Sequence, residues 1–152
     1  MTLFDRPGIT ALAILLSCVS FARAELGGKV SEIGGAAPAR LPIVRSVVHT
    51  PLYTAHASRT GAGVQVVEYA TLSGTVFAVT WKGPLRPDLN QLLGPYFATY
   101  LDAAGSPGMG RRPLRLQRAD LVIQSGGHMR DFSGRAWLPA LLPAGVTPED
   151  LR

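Results

Sequence analysis

The sequence predicts an α+β domain: an antiparallel sheet of about five strands, a three-stranded meander and a C-terminal hairpin, with one amphipathic helix packed on a face. Three observations predict it. Residues 53–58, 64–70 and 75–81 are short runs rich in β-branched and aromatic side chains, separated by Gly-bearing gaps, the signature of an antiparallel meander. Leu89, Leu92, Leu93, Tyr96, Phe97, Tyr100 and Leu101 then recur at the three-and-four spacing of a single helical stripe. Strand pattern resumes over 114–123 and 128–137 on either side of Gly126-Gly127, and a Gly-Gly pair is a tight-hairpin signal because both central residues of a type I′ turn need positive φ.

Each element has a local reason. The first 24 residues carry Arg6, an apolar run over 9–21 and an Ala22-Arg23-Ala24 site before Glu25, the pattern of a cleaved signal peptide. The apolar run is too short to span a bilayer, and Asp5 leaves the start with little positive charge. A rival reading places lipidation at Cys18 after Leu15-Leu16-Ser17; the A-x-A site is the better processing signal. Cleavage after Ala24 would remove Cys18, the one cysteine, so the remaining chain would rely on an apolar core instead of disulfides. Residues 25–47 are rich in Gly, Ala and Pro without helical or strand period and read as an irregular lead-in to a single domain over 48–152.

Within the meander, alternation places Phe77, Val79 and Trp81 on one face and Val76, Ala78 and Thr80 on the other. Asp88 is positioned to cap the helix, with Gln91 three residues on, and Gly105 can close its far end. Gly94-Pro95 in mid-stripe predicts a kink or break, since proline removes one amide donor. After Trp137 the Pro-broken residues 138–143 suit irregular chain along the sheet, and Thr147-Pro148-Glu149-Asp150 suits one last helical turn. Trp137 fits a tail anchor better than an exposed contact. The strand order stays open.

Composition narrows the function classes. With 47% hydrophobic and 16% charged residues, the chain is neither disordered nor, at 152 residues, several sizeable domains. A mean hydropathy of +0.20 and a net charge of +5 exclude a bundle of membrane helices. No transmembrane helix is expected in the mature chain.

Few residues are patterned for chemistry. His49, His56 and His128 form no ligand-spaced pair, so no metal or other cofactor is expected. Ser125, His128 and Asp131 lie close in sequence, but no G-x-S-x-G elbow surrounds Ser125, and His128 and Asp131 would point to opposite faces of one strand. Glu68, Asp88, Asp120 and Asp131 are too scattered for a carboxylate pair. The Gly-rich stretch 105–110 lacks the Lys-Ser/Thr of a phosphate loop.

The basic stretch is the strongest surface signal in the chain. Arg111, Arg112, Arg115 and Arg118 fall within eight residues with no acid among them, and Arg130 and Arg135 lie on the strand expected to pair with them. Guanidinium forks suit carboxylate and phosphate, so an envelope protein or anionic envelope component is the partner this face fits. The plainer account is a solvated basic face. No aromatic side chains interleave the arginines, and nucleic acid is not expected.

Several blocks carry a family resemblance. Ser73-Gly74-Thr75-Val76-Phe77-Ala78-Val79 with Trp81 and Gly83-Pro84, and Pro87-Asp88-Leu89 with Gln91-Leu92-Leu93-Gly94, resemble an exported bacterial family, domain of unknown function 2844. Ser125-Gly126-Gly127-His128-Met129-Arg130, Phe132-Ser133-Gly134-Arg135-Ala136 and the run from Leu138 to Val146 are similar to its closing signature. The resemblance implies export and supplies no catalytic or binding residues. The expectation is therefore a non-catalytic accessory or binding protein, periplasmic or secreted after cleavage near Ala24; the alternative is an exported hydrolase using Ser125, His128 and Asp131.

Overall fold

The computed structural model describes residues 25–30, 44–105 and 113–151. The expected leader with Cys18, the Gly-rich loop from Ser106 to Gly110, and Arg111 and Arg112 lie outside them. Seven antiparallel strands form one sheet: β1 (Val44–His49), β2 (Tyr53–Arg59), β3 (Gln65–Thr71), β4 (Val76–Gly83), β5 (Leu114–Gln117), β6 (Val122–His128) and β7 (Asp131–Trp137). Their order is β1-β2-β3-β4-β7-β6-β5. Two four- and three-stranded meanders thus meet at the β4–β7 pair.

The α+β class stands, with seven strands in place of about five. One extra strand is β1, which begins in the stretch read as lead-in and runs two residues past it. It escapes the sequence pattern because its side chains are mostly exposed and its turn into β2 is built by Thr50, whose Oγ1 accepts from the amides of Leu52 and Tyr53. The other comes from 114–123, expected as one strand, which folds back on itself between β5 and β6. Arg118 N donates to Leu121 O at 2.8 Å, making a two-residue turn of Ala119 and Asp120 that no Gly or Pro announces.

The C-terminal hairpin also turns elsewhere than at Gly126-Gly127. Both glycines lie inside β6, and the connection is Met129-Arg130, closed by His128 opposite Asp131. Gly127 serves close approach: at φ +125° a Cβ there would overlap the Asp131 carbonyl and lie 2.7 Å from Phe132 Cα. Arg130 takes the left-handed conformation at the turn, with φ 66°.

Helical structure links the two meanders and crosses one face. Asp88 caps α1 (Leu89–Leu93) by accepting from Gln91 N at 3.1 Å. Gly94-Pro95 breaks the stripe as expected: a 3-10 turn, Gly94–Tyr96, separates α1 from α2 (Phe97–Ala104), and Gly105 follows as the C-cap. Leu89, Leu92, Leu93 and Tyr100 bury against Val76, Val79, Trp81, Leu114, Ile123 and Ala136. Leu26, wholly buried, joins this core, its amide bonded to Leu92 O at 3.1 Å while Gly27 N reaches Val76 O at 2.9 Å.

The opposite face holds a second core of Val67, Tyr69, Phe77, Ala78, Val122 and Trp137, covered by Val146 and Leu151 of the tail. Trp137 is its anchor, as read. Phe77 departs from the expected face because β4 carries a bulge: Ala70 pairs with Val76 and Tyr69 with Ala78, leaving Phe77 as the extra residue. Phe77 and Ala78 therefore both enter the second core, where Phe77 meets Tyr53 at 6.1 Å and Tyr69 at 6.3 Å between ring centroids. Every residue from Val76 to Trp81 is buried.

At the join of the meanders, Trp81 lies over Gly134, its partner across β4 and β7. A Cβ at Gly134 would fall 2.6 Å from Trp81 Cε2 and 2.8 Å from Gln124 O, so only glycine fits. Gly134→Ala is expected to lower unfolding stability by about 1–3 kcal/mol, read as a lower urea midpoint with unchanged slope. Leu26→Ala, which empties a fully buried site next to α1, is expected to cost about 2–5 kcal/mol in the same measurement.

Candidate cationic groove

Alternation and register decide which side chains share the face opposite the helices. Arg115, Gln124, Arg135, Thr80 and Val67 lie in one cross-strand row, since Arg115 pairs with Gln124, Gln124 with Arg135, Arg135 with Thr80 and Thr80 with Val67. The adjacent row runs Gly126, Ser133, Lys82, Gln65 and Arg59. Where these rows pass the end of the tail they form an open groove of about 450 Å³. Lys82, Arg115 and Arg135 supply its charge, Gln65, Thr80, Gln124 and Ser133 its neutral hydrogen-bonding groups, and Leu151 one wall. Among the described residues no carboxylate lines it.

Arg135 is held in place. Its Nε donates to Gln124 Oε1 at 2.9 Å and an Nη to the Pro148 carbonyl, and the guanidinium carbon sits over an indole, 5.3 Å from the Trp137 ring centroid. Both acceptors are neutral, so these bonds fix the fork without cancelling its charge. The same contacts fasten the Pro148–Asp150 turn, in which Asp150 Oδ2 accepts from Thr147 N and Oγ1, each at 2.8 Å. Arg115, by contrast, is exposed on edge strand β5.

The structure brings only part of the expected basic surface together. Arg115 and Arg135 share the row described above. Arg118 stands at the β5–β6 turn, 3.7 Å from Asp120 in an exposed ion pair, while Arg130 occupies the turn at the other end of β6. Lys82 and Arg59, which lie outside the arginine run, stand on the same face. Their signal was present: Thr80 and Lys82 alternate with Val79 and Trp81, but only the β4–β7 adjacency shows that this polar face meets Arg135.

The polar hairpin residues are divided. Ser125 lies in the row of Leu114, Gly134 and Trp81, which belongs to the helix side, and also lines the groove. His128 and Asp131 face each other across the Met129-Arg130 turn at the exposed tip. The expectation that they point to opposite faces is corrected by that turn, which puts them on different strands as a cross-strand pair. Among the described residues no group of three or more His, Cys, Asp or Glu could hold a metal, and no helix is long and apolar enough to cross a membrane.

A second titratable group lies on the helix-side face, away from the groove. His56 pairs with Glu68, and His49, on the neighbouring β1, shares their face. Burial pushes the Glu68 carboxyl up to about 6, against the opposing pull of Arg45, and burial followed by the charge of His49 lowers His56. For Glu68 the folded chain favours the protonated acid. Its contribution to stability is complete below the unfolded value of 4.5 and is lost as pH rises through about 6. Glu68→Gln is therefore expected to gain stability relative to the wild type over that interval, by on the order of 2 kcal/mol once the acid is ionised, measured as the difference between urea midpoints at successive pH values.

No curated protein and no solved structure matches the chain. A family match covers residues 22–151, a span that takes in every strand, both helices and all the residues of the groove. The chain accordingly belongs to the family described as protein of unknown function DUF2844.

Proposed function

We propose that this is an exported, non-catalytic accessory protein of the periplasm or extracellular space that holds an anionic envelope component in the groove on its open sheet face. The observation that carries the proposal is the groove's lining: Lys82, Arg115 and Arg135 without a carboxylate among the described residues, beside amide and hydroxyl groups. Such a site attracts carboxylate or phosphate groups and orients them through the fixed fork of Arg135. The leader pattern ending at Ala24 supports export. Of the basic residues read from the sequence, Arg115 and Arg135 contribute directly; Arg118 and Arg130 flank the hairpin and add to the field.

Binding at an open groove is screened by salt and weakens as ionic strength rises. Cells expressing a C-terminally tagged copy are to be cross-linked, and the envelope fraction purified. The expected result is a mature chain beginning at Glu25 that retains one recurrent anionic component. Lys82→Glu combined with Arg115→Glu is expected to reduce that capture at least tenfold with a nearly unchanged melting temperature, both side chains being exposed. Unaltered capture by the double variant overturns the proposal.

A further inference from the structure

The cationic groove continues by one strand, to Arg59 on β2, as a longer track. Counting strands across the sheet, one polar side chain on the same face follows another: Arg59 on β2, Gln65 on β3, Lys82 on β4, Arg135 on β7, Gln124 on β6 and Arg115 on β5. Arg59, Gln65 and Lys82 occupy one row and Arg135, Gln124 and Arg115 the next, so the line crosses the strands obliquely. Neighbouring strands lie about 4.8 Å apart, and the track from β2 to β5 is about 24 Å long. Cation and amide alternate inward from each end, with the two central cations, Lys82 and Arg135, on adjacent strands.

We infer that this track binds a linear polyuronate, an acidic polysaccharide laid across the strands with its carboxylates on the four cations and its hydroxyls on the amides between them. The inference rests on the groove reading above and extends it to an oligosaccharide about 24 Å long. The alternation favours this class of ligand. Gln65 can donate and accept at once, and Gln124, whose Oε1 takes the Arg135 Nε proton, keeps its amide N–H groups to donate; this matches sugar hydroxyls, which both accept and donate, and a polyphosphate offers acceptors alone. Nucleic acid would call for exposed aromatic platforms, whereas Trp137, the aromatic beside the track, is buried beneath Arg135. Forked guanidinium groups at Arg59, Arg135 and Arg115 are suited to planar carboxylates.

Titration of the intact purified chain by calorimetry at low salt, with digalacturonate, hexagalacturonate and a polyphosphate of six phosphates, tests the assignment. The hexamer is expected to bind at least tenfold more tightly than the dimer. Arg59→Glu should bring the hexamer to the dimer's affinity while leaving the dimer unchanged, and the neutral Arg59→Gln should lie between; Arg59 is exposed, and the melting temperature of each variant verifies folding. Equal affinity for dimer and hexamer, or a hexamer indifferent to Arg59→Glu, overturns the extended track while leaving the groove itself. Polyphosphate binding more tightly than hexagalacturonate overturns the polyuronate assignment. Failure of all three ligands overturns both the track and the groove reading.

Discussion

The pairing of β4 with β7 is the constraint on which the rest of the molecule depends. Among the described strands it is where the two meanders hydrogen-bond, and β4 brings to it six consecutive buried residues. A strand buried on both faces needs cover on both, and the chain supplies a helix pair on one side and its own tail on the other. Trp81 and Gly134 set how closely the two strands' side chains nest, because an indole lies where any larger residue at 134 would project. The bulge at Phe77 lets one strand feed two cores, turning an aromatic away from the helices and toward Tyr53 and Tyr69.

The same pairing creates the polar face. Lys82 and Ser133 face one another only because β4 lies beside β7, and Arg135 acquires its fixed geometry from β6 and the tail together. Arg135 is thus both a clasp and a charge. Loss of the tail contact would leave the guanidinium held by Gln124 alone and uncover the second core, coupling the closure of that core to the organisation of the groove.

Legibility from sequence followed the strength of local signals. The helical stripe, the Asp88 cap, the break at Gly94-Pro95 and the role of Trp137 are written in short-range patterns, and each is found where those patterns place it. Strand β1 was hidden by its exposed side chains, and the β5–β6 turn by the absence of Gly or Pro from Ala119-Asp120. Gly126-Gly127 misdirected the turn because close strand approach and turn geometry favour the same residue type. The basic face was legible in part: the arginine run holds Arg115 and the strand expected to pair with it holds Arg135, but Lys82 and Arg59 join them only through a strand order that local pattern does not contain.

The burial of Leu26 also has a temporal side. Its amide is paired with a carbonyl that lies 66 positions later, at Leu92, so the anchor near the start of the described chain cannot seat until the helix it meets has been synthesised. Contacts of such long sequence separation form slowly. Until then Leu26 has no partner for its amide and no core to enter, and the closing of the first core buries it.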